Sequence, residues 1–257
     1  KNVNFYYMKQ ESYFDLDKTN EMYNNENTHW WWVSQRKILR KILNRYISNK
    51  TKNVLEVGCG TGGNLLMLKE YGDLSAMEPD DDARRFANSK NICLVKKGIL
   101  PNNIPFDECF DLICMLGVLE HIENDSETLK SIKNKLKQKG VLLITVPAYK
   151  FLWGFQDVVF RHFRRYTKKQ LTELLLKSGL KIKYITYYNT FLFPIIATIK
   201  ILKNMLRIKS NNEASMPWIP INNLLTKIFS SEKLILPQLS FPFGVHILIL
   251  AVNAQDP

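Results

Sequence analysis

The chain is predicted to adopt an α/β fold, a doubly wound and mostly parallel seven-stranded sheet with helices on both faces, and three features predict it. Apolar strand-like runs alternate with helical periodicities from Asn53 to about Tyr188, the order that covers a parallel sheet on both sides. The run Phe110-Asp111-Leu112-Ile113-Cys114-Met115-Leu116 is almost continuously apolar, as a strand covered on both faces requires. The first such run, Val54 to Val57, breaks into Gly58-Cys59-Gly60-Thr61-Gly62-Gly63 just before an apolar helix. A glycine turn of this kind lets a ligand approach the backbone, and the helix behind it offers unpaired N–H groups.

With 257 residues, 46% of them hydrophobic, the chain is long enough for one sizeable core. It reads as a single domain over 1–257. A helical and aromatic extension covers 1–50, the sheet and its helices cover 51–190 and 243–254, and an insertion covers 191–242. The net charge of +12 invites an anionic partner such as a phosphate, a nucleic acid or a membrane, although a Lys-, Asn- and Ile-rich composition also arises from base bias alone. Cys59, Cys93, Cys109 and Cys114 show no CxxC spacing, which suggests buried thiols in a reducing compartment rather than a zinc site. The charge-free stretch Ile185 to Ile199 contains Asn189 and Pro194 and, at about 15 residues, is too short to span a bilayer. The expected location is the cytoplasm, with the membrane surface as a candidate position.

The elements follow in order. Residues before His29 read as irregular; after Trp30-Trp31-Trp32, apolar Val33, Ile38, Leu39, Ile42, Leu43 and Tyr46 recur at helical spacing. Three consecutive tryptophans cannot share one core face, so at least one should cover a ligand or a neighbouring loop. Leu65, Leu66 and Leu68 carry a helix ending near Gly72, and Leu74 to Glu78 make a second strand. Glu78 stands twenty residues beyond Gly58, where such folds keep a carboxylate for ribose hydroxyls. Pro79 opens the next helix, with Asp80, Asp81 and Asp82 at its positive end. Ile92 to Val95 form a third strand and Phe110 to Leu116 a fourth. A helix is expected from an N-cap at Asp125 to a C-cap at Gly140, then a fifth strand from Val141 to Val146, stopped by Pro147. Thr167 and Gln170 match a capping box, opening a helix to Ser178-Gly179. A sixth strand runs through Ile182 and Tyr184, and His246 to Asn253 form the last. Within the insertion, Ile195, Ile196, Ile199, Leu202 and Leu206 share one helical face while Lys200, Lys203 and Arg207 share another. Such a basic amphipathic helix over 191–209 either packs on its own domain or contacts an anionic membrane or a greasy substrate.

Gly58, Gly60 and Gly63 satisfy GxGxxG, so the turn alone leaves an NAD-dependent oxidoreductase or a non-catalytic nucleotide-binding module open. Two further features point elsewhere. Glu56 precedes the first glycine by two residues, and Phe110-Asp111 leads to Leu119-Glu120-His121. With Leu55-Glu56-Val57-Gly58-Cys59-Gly60-Thr61-Gly62, these resemble the class I S-adenosylmethionine-dependent methyltransferases, from Asn53 to about Tyr188 and again at the final strand. The resemblance implies a Rossmann-like fold, S-adenosyl-L-methionine as cofactor and S-adenosyl-L-homocysteine as product. It implies that Glu56, Gly58, Gly60 and Gly62 hold the amino-acid end, where a carboxylate suits an ammonium and would repel a pyrophosphate. It further implies that Glu78 and Pro79 meet the ribose, Ile99 the adenine, and Leu116, Gly117 and His121 the methionine side. Many relatives carry an acid near the adenine; Lys97-Gly98-Ile99-Leu100 has none, so backbone groups would serve. The Glu120-His121 pair is similar to that of metal-assisted quinone-precursor O-methyltransferases. Their further Glu three residues earlier is Gly117 here, so no metal site is expected. No Asn/Asp-Pro-Pro-aromatic segment follows the fourth strand, which counts against the DNA and protein amino methyltransferases.

The segment from Pro147-Ala148-Tyr149 through Leu152-Trp153 and Asp157 to His162-Phe163-Arg164-Arg165-Tyr166-Thr167 resembles a subgroup associated with surface-glycan and lipid-linked sugar biosynthesis. It follows the fifth strand, at the sheet edge where ligands bind. His162, whose ordinary pKa lies near neutrality, is the expected base, with Asp157 and Tyr166 beside it. Trp31, Tyr149, Trp153, Arg164 and Arg165 are the expected acceptor contacts, the arginines for phosphate or carboxylate oxygens. The competing reading makes Asp157, Arg164 and Arg165 an ion-pair lattice with His162 structural. The expected activity is O-methylation of a small-molecule, glycan, nucleotide-sugar or lipid-linked acceptor, with a quinone-precursor or lipid acceptor as the alternative. Nucleic acid is not the expected partner, and the sequence is silent on oligomeric state.

Overall fold

The structure, a computed structural model, describes residues 16–47, 53–208 and 215–253. The first fifteen residues of the expected N-terminal extension, and residue 209 of the expected membrane-contact segment, lie outside that set. The elements are α1 (Leu16–Asn25), α2 (Trp30–Tyr46), β1 (Asn53–Val57), α3 (Leu65–Leu68), β2 (Asp73–Met77), α4 (Asp81–Ser89), β3 (Val95–Lys96) and β4 (Phe110–Leu116). There follow α5 (Asp125–Asn134), β5 (Leu136–Pro147), α6 (Phe155–Val159), α7 (Lys168–Lys177), β6 (Lys181–Tyr188), α8 (Phe193–Met205), α9 (Ile219–Ser231) and β7 (His246–Val252).

The seven strands form one sheet in the order β3-β2-β1-β4-β5-β7-β6. β7 runs antiparallel to both neighbours and the remaining pairs are parallel. The chain winds outward in opposite directions from β1 and β4. Their carboxyl ends therefore splay apart and open a crevice, the place where open α/β sheets take ligands. Val57 is level with both Met77 and Met115, so the loops after β1, β2 and β4 leave the sheet together.

Alternation along β1 sorts the core. Val54 joins one apolar layer, with Ile38, Leu39, Ile42 and Leu43 of α2, Leu65 and Leu68 of α3, and Phe229 of α9. Leu55 and Val57 join the other, with Leu129 and Ile132 of α5 and Leu171 and Leu175 of α7. Glu56 shares the face of Val54 and is thereby buried behind the glycine turn.

Several sequence expectations shift. Residues 16–25, read as irregular, form α1. The third strand is Val95–Lys96 rather than Ile92 to Val95, because the Asn88 side chain bonds both the N–H and the carbonyl of Val95 and leaves Leu94 exposed. α4 starts after Pro79, with Asp80 accepting from the N–H groups of Asp82 and Ala83 as its N-cap. α5 is capped by Asn124 and ends at Asn134, since Leu136 already pairs with Phe110 in the sheet. Gly140 is consequently no C-cap. A Cβ there would stand 2.8 Å from the Lys137 carbonyl oxygen and 3.0 Å from that of Phe110, so a close backbone approach requires the glycine. The capping box of Thr167 and Gln170 is present as expected.

Candidate active site

A cavity of about 840 Å³ lies at the carboxyl ends of β1, β2 and β4. The turn after β1 forms its floor. Gly58, Gly60 and Gly62 have φ of +66°, +54° and +87°, a region that side chains enter at a cost. The N–H groups of Gly58 and Cys59 both donate to the Met77 carbonyl, at 2.8 and 3.1 Å. A Cβ on Gly58 would stand 2.7 Å from Val118 Cγ2, so the turn packs tightly against the loop after β4.

Three acidic residues surround the turn. Glu78 lines the cavity and accepts from the N–H of Gly60 at 2.8 Å and of Asp80 at 3.0 Å. Burial outweighs those two bonds and lifts its pKa to about 7. Glu56 accepts from Asn64 Nδ2 at 3.1 Å through Oε1, while buried Oε2 has no hydrogen-bond partner. Burial first, and then the neighbouring carboxylates Glu26 and Glu78, push Glu56 up to about 8 despite the Asn64 bond. Glu26, just past α1, accepts from Thr61 Oγ1 at 2.6 Å and pairs with Lys90. An acid-lined turn with an unsatisfied buried carboxyl oxygen fits a ligand bearing a positive charge.

Another part of the wall is built around Asp157, which is fully buried. His162 Nδ1 lies 2.8 Å from Asp157 Oδ1, Arg165 Nε donates to Oδ1 at 2.8 Å and Nη2 to Oδ2 at 3.1 Å, and the Gly154 N–H donates to Oδ2 at 2.8 Å. Burial alone would raise the Asp157 pKa, but His162 and Arg165 outweigh it and hold the group well below the usual carboxylate range. The Phe163 N–H donates to the Glu120 carbonyl at 2.8 Å, tying this loop to the one after β4. His121 and His162 consequently stand edge to face with ring centroids 4.6 Å apart. Burial, and then His162, lower the His121 pKa to about 4. Although no metal site was expected, one ligand atom each of Glu120, His121 and His162 lie within 4.8 Å of one another.

Of the expected residues, Gly58, Gly60, Glu78, Pro79, Ile99, Leu116, Gly117, His121, Asp157, His162, Arg165 and Trp31 line the cavity. Glu56 and Gly62 sit directly behind its floor. Tyr149, Trp153, Arg164 and Tyr166 are not brought to its wall. The Arg164 guanidinium is taken by Asp125 at 2.7 Å and the Glu123 carbonyl at 2.6 Å, and Tyr166 Oη donates to Asp125 at 3.0 Å. The Tyr149 ring stacks on Tyr187, and the Trp153 carbonyl accepts from Asn204 at 2.6 Å. The ion-pair lattice thus contains Asp157 and Arg165, with Arg164 engaged elsewhere. Residues given no site role from sequence also line the cavity, Met22, Glu26, Gln35 and His246 among them, as do Lys200 and Lys203 of the basic helical face and all three consecutive tryptophans.

Comparisons with known proteins define the class. A family model described as a methyltransferase domain matches residues 28–185, and the chain belongs to that family of S-adenosylmethionine-dependent methyltransferases. Over 150 residues it is 33% identical to an uncharacterized methyltransferase of Staphylococcus carnosus, covering 57% of this chain and 69% of that one. It is 32% identical to a ubiquinone biosynthesis O-methyltransferase of Glaesserella parasuis, covering 45% and 58%, and 33% identical to a tRNA U34 carboxymethyltransferase of Helicobacter acinonychis, covering 38% and 41%. The matches thus span less than two thirds of the length of these last two relatives. Among solved structures, the fold is shared with the plantazolicin methyltransferase BpumL in complex with SAH, at a TM-score of 0.58, 14% identity and coverage of 93% and 90%. It is also shared with a Thermotoga maritima methyltransferase at 0.55, 18% identity and 93% and 100%.

Proposed function

We propose that the chain transfers a methyl group from S-adenosyl-L-methionine to an oxygen of a glycan, a nucleotide-linked sugar or a lipid-linked intermediate. The observation that carries this reading is the Asp157-held imidazole of His162 in the wall of the cavity that the acid-lined turn also lines. Glu56 and the backbone of Gly58, Gly60 and Gly62 would receive the amino-acid end of the cofactor, and Glu78 and Pro79 the ribose. Ile99 would cover the adenine, and Leu116, Gly117 and His121 the methionine side. The unpartnered Oε2 of Glu56 suits an ammonium. When bound, the cofactor supplies a methyl carbon already activated by its sulfonium.

The chain's part is alignment and proton transfer. Asp157 fixes His162 Nδ1 as the protonated nitrogen, which leaves Nε2 as the basic atom. Nε2 would take the proton that the acceptor hydroxyl gives up as it receives the methyl group. Arg165 keeps Asp157 ionised, so the imidazolium that forms has a fixed counter-charge. The O-methyltransferase named among the relatives favours an oxygen acceptor.

The test is incubation with methyl-labelled cofactor and separate glycan, lipid and RNA extracts. Label should enter the glycan or lipid fraction and be lost in His162→Ala; label confined to RNA, with binding that falls steeply with salt, would refute the acceptor class. A second reading rests on the Glu120–His121–His162 cluster. There a divalent cation would lower the pKa of the acceptor hydroxyl in place of the base, as suits a quinone-precursor acceptor. Activity abolished by a chelator and restored by a divalent metal would select it.

A further inference from the structure

A surface helix ordinarily turns its charged face to water and its apolar face to the core. α8 follows this only in part: Ile196 packs on the core, while other positions do the reverse. Lys200, only 8% exposed, lines the cavity together with Lys203, and its ammonium lies beside Gly154, whose N–H supports Asp157. Ile195, Leu202, Met205 and Leu206 point outward, at 61%, 50%, 75% and 68% exposed. Ile199 continues the same row, and that row is the one whose spacing marks a single helical face. Ile196 and Ile199 also line the cavity, so α8 gives it a mixed wall of isoleucines and lysines and carries a further apolar row outside.

The start of α9 adds to this surface. Trp218 and Ile219 are 72% and 69% exposed. They stand next to a firm anchor, because Asn222 accepts from the Trp30 N–H at 2.8 Å and donates to the Thr28 carbonyl at 2.9 Å. Trp30 lines the cavity, as do Ile196 and Ile199 of α8, so each helix is tied to the cavity lining.

Exposed apolar side chains in such number on two helices that reach one cavity mark an interaction site, and charge indicates the partner. Exposed Lys150, in the turn packed on α8, and exposed Arg207, at its end, flank the apolar row, and the whole chain carries +12. Exposed apolar side chains with cations at their flanks, and an exposed tryptophan, match the interface of an anionic bilayer, which offers hydrocarbon below and negative head groups around it. We propose that α8 and the start of α9 seat the cavity mouth on an anionic lipid bilayer, from which a lipid-borne acceptor enters. The acceptor half rests on the methyl-transfer reading; the seat does not.

The experiment separates the two. The full chain and the variant Leu202→Glu/Met205→Glu/Leu206→Glu are sedimented with vesicles of phosphatidylglycerol and phosphatidylcholine, and with phosphatidylcholine alone. These side chains are at least half exposed, and an unchanged melting temperature checks that the variant folds. The native chain should partition onto the anionic vesicles, more weakly at high salt, and the variant about tenfold or more weakly still. Equal partition of the two proteins, or none onto anionic vesicles, overturns the proposal. A native dimer in solution that the variant disrupts, without vesicle binding, gives the face to a second copy and overturns it as well. In a parallel arm, lipid extract is carried in the same vesicles. Methyl label should enter it with the native chain and fall in the variant while S-adenosylhomocysteine affinity is unchanged. Vesicle binding without any labelled lipid keeps the seat and removes only the acceptor.

Discussion

His162 Nδ1 and Asp157 Oδ1 lie 2.8 Å apart, and Arg165 Nε donates to the same oxygen. On the proposed reading, this relationship separates catalysis from support. His162→Ala should lower turnover by about 10²- to 10⁴-fold, the contribution of a positioned base, and leave S-adenosylhomocysteine affinity as it was. Near-normal turnover in this variant would return His162 to a structural role.

Asp157→Asn should act differently. It strands the guanidinium of Arg165, whose side chain is 5% exposed, and loss of one partner from such a buried pair costs about 3–5 kcal/mol. Chemical denaturation should therefore show a large loss of stability for Asp157→Asn and a small one for His162→Ala. Equal stability of the two variants would contradict the lattice described.

The turn after β1 gives a packing prediction. Gly58 combines φ of +66° with an approach that would put a Cβ 2.7 Å from Val118 Cγ2. Gly58→Ala should destabilise by about 1–2 kcal/mol from backbone conformation alone, plus the clash. Because the obstacle is a side chain, Val118→Ala should relieve part of the loss, with a coupling of about 0.5–3 kcal/mol in a double-mutant cycle. Strict additivity would mean that the turn does not rest on Val118.

Much of this was legible because it is local. The glycine turn, Glu78 and the Thr167 capping box each depend on a few adjacent residues, and the alternation of strands and helices is periodic. Gly140 misled, because a C-cap and a close backbone approach demand the same residue. Glu26, Lys200 and His246 were not legible, since only the packing of α1, α8 and β7 brings them to the cavity. The placement of α8 was equally hidden: the spacing separates two faces but does not say that Lys200 and Lys203 of one join Ile196 and Ile199 of the other at the cavity. Arg164 and Arg165 are adjacent in sequence, and only the fold sends one to Asp125 and the other to Asp157.

Titration of the floor gives a pH prediction. Burial raises Glu56 to about 8 and Glu78 to about 7 from an ordinary value of 4.5. Below 4.5 both groups are protonated, folded or unfolded, and cost nothing. As pH rises from 4.5 towards 8 the folded state binds more protons than the unfolded one, so these groups make the cofactor-free protein progressively less stable. An ammonium beside Glu56 favours its ionised form, so S-adenosylhomocysteine affinity should rise between pH 6 and 8 and binding should release protons. Glu56→Gln should flatten that rise; an unchanged pH profile in the variant would place the ammonium elsewhere.

The central claim, that the acid-lined turn holds a methyl-donor cofactor, is tested most directly by thermal unfolding of the native chain with S-adenosylhomocysteine and, separately, with NAD. At one hundred times its dissociation constant, S-adenosylhomocysteine should add about 2.7 kcal/mol of stability, while NAD at the same concentration should add none. Stabilisation by NAD, with no shift from S-adenosylhomocysteine at any concentration, would contradict it.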